Sequence, residues 1–229
     1  MSQNATTHPS GIEGLKPIEV REARSKDDRL AAYALRFTVY VEEMGRRQLH
    51  ADHSRRLIEE PEDAHARLLV ARTAAGEVVG TARVHLKTDV PPALEALYGM
   101  RRFAPFHPAQ TSTTTKLMVV PRLRRSPLAL RLAQACYDLG MAEGIAFNFI
   151  DCNAPMRPFF ERLGFRQLLD DFDHPDFGRV SPLVLAMHDI EYFRRIRTPF
   201  ILPALPGDHA SIAFFAQLLD HAHSPTAHP

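Results

Sequence analysis

Three groups of residues in this chain combine side-chain types with spacings that chemistry uses. The stretch VVPRLRRSPLALR, residues 119–131, reads as an apolar strand, a short turn and a helix start. Junctions of this kind hold phosphates when glycines let backbone N–H groups converge. Here Arg124, Arg125, Ser126 and Pro127 fill the turn, and Pro127 contributes no N–H. What remains for an anion is the helix start with its Ser126 cap, together with Arg122, Arg124 and Arg125. A solvated basic turn is the competing reading.

The second group is Arg36, Tyr40 and Glu43. On one helix they stand at i, i+4 and i+7 and share a flank, while Glu42 points away. Glu43 is thus the better-placed acid, with Arg36 as partner for it or for an anionic substrate; a surface ion pair is the alternative. In the third group, Asp63 and His65 are two residues apart at the start of an extended segment, which predicts that both face one side. Arg83 stands mid-strand in GTARV, on the face opposite Val78, Ala82 and Val84. An arginine there needs a partner, either a substrate carboxylate or a structural ion pair.

Those residues need elements to position them. KPIEVREA predicts a first strand, and SKDDRLAAYALRFTVYVEEMG a helix capped by Ser25 and stopped at Gly45. Leu30, Ala34, Phe37, Val41 and Met44 form its predicted apolar stripe. HARLLVARTAAGEVVGTARVHL predicts two antiparallel strands joined at Ala74-Ala75-Gly76. After them come a short helix in PPALEALYG, a buried strand in TTTKLMVV and a helix from Ser126-Pro127 to Gly144. AFNFIDCN, FRQLL and SPLVLAMHD predict strands, APMRPFFERL a short helix and SIAFFAQLLDHA a last amphipathic one. Antiparallel strands first and a helical crossover later describe an α/β domain with a mixed sheet.

The composition suits a globular fold: of 229 residues, 45% are hydrophobic and 24% charged. A net charge of +1 provides no global field for nucleic acid, although Arg122, Arg124, Arg125 and Arg131 cluster locally. Cys136 and Cys152 are the only cysteines, no apolar run is long enough to span a membrane, and the N-terminus lacks a signal layout, so a cytoplasmic protein without structural disulfides is expected. The 12 histidines are scattered and predict no metal site.

NAPMRPFFERLGF and KLMVVPRLRRSPLALRL together resemble the two signature motifs of the GNAT acyltransferase superfamily over roughly residues 17–190. LRFTVYVEEMG, GEVVGTARV, the Thr115-Lys116 pair and HPDFGRVSPLVLAMHDIEYFRRIRTPF are most similar to the N-acyl amino acid synthases, relatives of the acyl-homoserine-lactone (autoinducer) synthases. The resemblance implies a mostly antiparallel sheet flanked by helices and transfer of a long fatty acyl chain from acyl carrier protein to an amino-acid amine. It implies no tightly bound cofactor: the donor arrives as a phosphopantetheine thioester on the carrier protein, or as acyl-CoA. The partners implied are the carrier protein and a small amine, with no nucleic acid and no membrane span.

Aminolysis of a thioester needs a neutral amine, a polarised carbonyl and a route for the thiolate. The resemblance assigns the carbonyl to a backbone N–H in the kinked strand at Met118 to Val120, with Val119 at its centre. Glu43 and Asp63 become acids for the amine, with Arg36 beside Glu43; Glu62 competes with Asp63 for register, and His65 is a second candidate base. Arg83, Thr115, Lys116, His65, Asn153 and Phe160 are expected to line the substrate, and Arg122, Arg124, Arg125 and Ser126 to meet the phosphopantetheine and the acidic carrier helix. Phe160 stands where many relatives have a proton-donating Tyr, and a thiolate, with a thiol pKa of about 8.5, leaves without one. Thr113 stands where lactone synthases carry a glutamate, which argues against lactone synthesis. Cys136 is expected in the core, and Cys152 beside the acyl cleft.

The expected organisation is a tail over residues 1–14, the acyltransferase domain over 15–190, an extension packed on it over 191–221 and a tail over 222–229. The rival readings are a CoA-dependent acyltransferase acting on a small metabolite or protein amine, and a degenerate fold used as a binding module.

Overall fold

A computed structural model describes residues 18–174, 177–202 and 208–223. The two expected tails lie outside the described residues, except that the last helix runs on to His223. In chain order the elements begin with β1 (Glu19–Glu22), α1 (Lys26–Phe37), β2 (Ala51–Asp52), β3 (Leu57–Ile58), β4 (Arg67–Arg72), β5 (Val78–Leu86) and α2 (Pro92–Leu97). They continue with β6 (Thr111–Val119), α3 (Leu128–Ala142), β7 (Phe147–Cys152), α4 (Arg157–Leu163), β8 (Arg166–Gln167), β9 (Phe172–His174), β10 (Gly178–Ala186), α5 (Ile190–Ile196) and α6 (His209–His223). One 8-stranded sheet runs β1-β4-β5-β6-β7-β10-β8, with β9 paired to β10. Among its described pairs only β6–β7 is parallel. The architecture is the expected mixed, mostly antiparallel α/β fold.

Local chemistry explains the connections. Between β4 and β5 the chain reverses at Gly76, whose φ of +88° favours glycine and whose N–H reaches the Thr73 carbonyl at 2.8 Å. A parallel β6–β7 pair requires a crossover, which α3 supplies. Ser126 Oγ accepts from the Leu128 N–H at 3.3 Å as the helix starts. The crossover lies tight on the sheet: a Cβ on Gly80 of β5 would stand 2.8 Å from Leu132 Cδ1. At the β1 edge of the sheet Asp28 anchors α1, accepting from Arg21 at 2.8 Å and from Arg72 at 2.8 Å.

The first helix departs from expectation. After Phe37 the chain continues as a π-helical turn, Thr38–Glu43, which rotates everything beyond it. The buried residues of α1 are Asp28, Ala32, Tyr33, Leu35, Arg36 and Phe37. The predicted stripe is therefore wrong at its end, where Met44 is 48% exposed. The sequence reading also missed the β2–β3 hairpin, the β9 strand and helix α5. Two apolar clusters cover the sheet. One gathers Leu132, Cys136, Tyr137, Leu163 and Phe193, and the other Tyr98, Met100, Phe103, Phe147, Phe149 and Phe215.

Two features of β6 open the sheet locally. The β5–β6 register shifts by one residue between Thr81 and Arg83, a bulge at which Lys116 takes a φ of +55°. On its other edge β6 pairs with β7 only at Thr111↔Phe147, Ser112↔Asn148 and Thr113↔Phe149. Beyond that point the two strands part and leave a wedge between them.

Candidate active site

Beside the wedge lies a buried network of charges. Arg36, 0% exposed, donates to both carboxylate oxygens of Asp63 at 2.7 and 2.9 Å. Arg83 donates to Glu60 at 2.6 Å, to Asp63 at 3.4 Å and, through Nε, to Thr115 Oγ1 at 3.0 Å. Lys116 closes the chain with a 2.7 Å bond to the other Glu60 oxygen, and its ammonium lies 5.1 Å from the Tyr40 ring and 4.9 Å from the Phe177 ring. Three cations thus share two directly paired carboxylates.

Ionisation follows from these contacts. Burial pushes the Asp63 carboxyl up, but the hydrogen bond and charge of Arg36, with Arg83, outweigh it and hold the group below its ordinary range. Burial acts likewise on Glu60, and the Lys116 and Arg83 charges bring it down. Lys116 is lowered by burial, with Glu60 opposing.

Asp63 and His65 do not begin a strand. Pro61 starts a 3₁₀ turn, Pro61–His65, closed by a capping box in which Asp63 accepts from the Glu60 N–H at 2.8 Å. That turn buries Asp63 and leaves His65 exposed, so the two do not share a face. The expected Arg36–Glu43 flank fails for a related reason: the π turn carries Glu43 outward, where Arg124 takes both its oxygens. That contact holds the Glu43 carboxyl below its usual range. Glu60, which the sequence reading passed over, does the bridging instead. Its signal was a carboxylate three residues before Asp63 with a proline between them.

At the wedge itself, the Val120 N–H donates to the Val79 carbonyl of β5 at 3.0 Å. Alternation along the strand then turns the polar edge of Val119 toward the wedge, and its carbonyl accepts from Arg124 Nε at 3.1 Å. The bulge falls at Lys116, before the Met118–Val120 segment expected to kink. Thr115 is engaged by Arg83. Asn153 donates to the Phe177 and Arg179 carbonyls at 2.9 and 3.1 Å, which ties the β9–β10 hairpin down over the network. Phe160 is buried against Phe159 and Phe165, in the core.

The sequence reading also missed two polar groups on this face. His85 Nε2 stands 2.9 Å from the Glu62 carbonyl, which can only accept, so Nε2 carries the proton and the buried Nδ1 is bare. Asp151, on β7, carries the one carboxyl here whose pKa is raised: burial is the main cause, opposed by His174 and Lys116. Its signal was strand alternation, an acid completing the series Phe147, Phe149.

The turn arginines are held less firmly. Arg122 donates to both Glu77 oxygens at 2.7 Å, and Arg124 is shared between Glu43 and Val119. Arg125 is exposed, and the Ser126 hydroxyl donates to the Leu123 carbonyl at 2.6 Å. The expected open positive mouth is therefore partly neutralised by Glu77 and Glu43. Cys136 and Cys152 are both buried, and burial pushes each thiol up to about 12, far from a reactive thiolate. Among the described residues no cluster of three or more His, Cys, Asp or Glu is placed to hold a metal, and no helix is long and apolar enough to cross a membrane.

The geometry can be set against known proteins. The family model described as N-acyl amino acid synthase FeeM matches residues 31–189. The structure of FeeM, an N-acyl amino acid synthase from uncultured soil microbes, is similar at a TM-score of 0.58 and 16% identity, over 76% of this chain and 92% of that one. The AHL synthase LasI is similar at a TM-score of 0.63 and 12% identity, over 83% of this chain and all of that one (100%). The CoA-dependent acyl-homoserine lactone synthase BjaI, solved with SAM and isopentyl-CoA, is similar at 0.56 and 19% identity, over 82% and 90% of the two chains. No curated protein sequence matches.

Proposed function

The chain belongs to the N-acyl amino acid synthase FeeM family, and on that footing we propose that it moves a long-chain fatty acyl group from an acyl-carrier-protein thioester to the amine of an amino acid. It is an acyltransferase. The observation that carries the choice of acceptor is that the buried network pairs three cations with only two carboxylates. Arg36, Arg83 and Lys116 pair directly with only Glu60 and Asp63, which leaves the network a cation to offer the carboxylate of an amino acid, while the Asp151 carboxyl faces Lys116 from the β7 side. Arg83 and Lys116 are the two cations next to the wedge strand, Thr115 orients Arg83, and Asp63 and Arg36 hold the network from behind.

The thioester would enter where β6 and β7 part, with its carbonyl oxygen against the backbone edge at Val119. The phosphopantetheine phosphate then lies toward Arg122, Arg124, Arg125 and the start of α3 at Ser126. A phosphate or the acidic helix of the carrier protein would compete with Glu43 and Glu77 for Arg124 and Arg122. Glu43 acts here as a placeholder for the anionic donor rather than as the base. Asn153 and Phe160 support the wedge by fixing its floor and the hairpin above it, and His65, exposed, stays outside.

Untargeted mass spectrometry of bacterial cultures expressing the chain, against an empty vector, tests this reading. New lipids that fragment to an amino-acid head group are expected. Soluble, folded protein with no new lipid would count against it and favour a CoA-dependent enzyme for an acceptor the host lacks. Substituting Arg124 and Arg125 by Glu addresses the donor: turnover with carrier protein should collapse, and unchanged turnover would sink the carrier-protein part.

A further inference from the structure

The two acids that the sequence offers for the amine are both tied to arginines: Asp63 inside the protein by Arg36, Glu43 at the surface by Arg124. A carboxylate held by a guanidinium is a weak proton acceptor. Asp151 is placed differently. It lies on β7 two residues beyond Phe149, the last residue paired with β6, and so stands at the edge of the wedge. Its partner across β10 is Pro182. Proline has no N–H, so the pair fits as one that exchanges no ladder hydrogen bonds, and the polar edge of Asp151 faces β6. Phe147, on the same edge of β7, donates its N–H to the β6-side carbonyl of Gln110 at 3.2 Å, as this register requires.

The ionisable groups facing the Asp151 carboxyl are Lys116 from β6, His174 from β9 and Tyr98 from the end of α2, with Tyr40 of the π turn in electrostatic range. Tyr98 is buried, and its hydroxyl lies against Asp151 without reaching the geometry of a hydrogen bond. Among the described residues no arginine holds this carboxyl. Lys116 links it to the buried network, so the site offers a cation for a carboxylate and, beside it, an anion for an ammonium, the two ends of an amino acid.

We propose that Asp151 is the base that takes the proton from the acceptor's ammonium. The inference rests on the acyl-transfer reading. The Asp151 carboxylate accepts one proton from R–NH₃⁺, and the freed lone pair forms the C–N bond to the thioester carbonyl carbon. As the tetrahedral intermediate collapses the C–S bond breaks, the thiolate leaves with its electron pair and the extra N–H proton passes to solvent. Burial works in the same direction, because it brings the proton affinity of the group closer to a neutral working pH.

The test compares wild type with Asp151→Asn, using dodecanoyl carrier protein and dodecanoyl-CoA as donors. The acceptors are the amino acid that wild type uses best and its α-aminooxy analogue, which is already neutral at neutral pH and needs no base. With the amino acid, kcat/KM should fall by about 10²- to 10⁴-fold; with the aminooxy analogue it should stay close to wild type, and Asp151→Glu should restore part of the loss. Equal losses with both acceptors, or none with either, overturn the proposal. Should the Asn variant not fold, the wild-type pH profiles decide. An acid limb with the amino acid that levels off well below the amine's own pKa, and that vanishes with the analogue, is expected; a limb that climbs to the amine's own pKa, or superimposable profiles, overturns the assignment. Wild type that transfers from neither donor to any amino acid refutes the acyl-transfer reading itself, and this inference with it.

Discussion

Two sets of arginine–carboxylate pairs in this molecule use the same chemistry in opposite settings. Arg36 and Asp63 meet with side chains 0% and 3% exposed, whereas Arg122 and Glu77 meet at 57% and 53%. The buried set is bidentate, cross-linked through Arg83 and Glu60 to Lys116, and cannot be exchanged for water. The surface set can exchange partners at little cost. A site that must present a fixed charge pattern to a small acceptor needs the first kind, and a site that a large anionic donor must enter and leave needs the second. The wedge between β6 and β7 opens beside Lys116, on the side of β6 away from β5.

The largest effect is expected at Arg36. Arg36→Met leaves Asp63 buried with the longer Arg83 contact as its one remaining ion pair beside the Glu60 N–H bond, and removing one partner of such a pair costs about 3–5 kcal/mol. Urea unfolding should show that loss, and the double variant Arg36→Met with Asp63→Leu should recover much of it. A single variant as stable as wild type would mean that the pair is open to solvent.

Next in size is the response to acid. Asp28, Asp63 and Glu60 are all held below their unfolded pKa values. Their contribution to stability is therefore fully present above about pH 4–5, the unfolded carboxylate range, and is lost as pH falls through the folded values. Thermal melts between pH 7 and pH 3 should decline steadily, and in Asp28→Asn the decline should be shallower, because one of the groups driving it is gone. A decline of unchanged steepness would place the acid sensitivity elsewhere.

How legible these two regions were in the sequence differs for physical reasons. Strand alternation and the glycine turn exposed β4, β5 and β10, and the Ser126-Pro127 start and Gly144 stop exposed α3, because those signals are local. Arg83 announced itself as a mid-strand charge that needed a partner. The partner could not be read, since Glu60 lies 23 residues away and reaches it only because Pro61 starts a 3₁₀ turn. Likewise nothing in TVYVEE signals a π turn, yet that turn decides that Glu43 faces Arg124 instead of sharing a flank with Arg36. Asp151 was missed because an acid at a strand end reads as solvent exposure; the parting of β6 and β7 that gives it a role is a property of the sheet.

The smallest effect is expected at Arg122 and Glu77, and its smallness is the point. Both side chains are more than half exposed, so Arg122→Ala should change stability by no more than about 1 kcal/mol and within error at high salt. If the turn is where an anionic donor docks, the same substitution should weaken the apparent affinity for the acyl donor, and more so at low ionic strength, where attraction between exposed charges is least screened. Glu77→Ala should act in the opposite sense, because it removes the carboxylate that the donor has to displace. KM for acyl donor, measured in both variants at two salt concentrations, distinguishes an exchangeable pair from a fixed one. Opposite shifts that converge at high salt identify the surface pair as an exchangeable latch, and matching shifts in the two variants would make it a mere support for the turn.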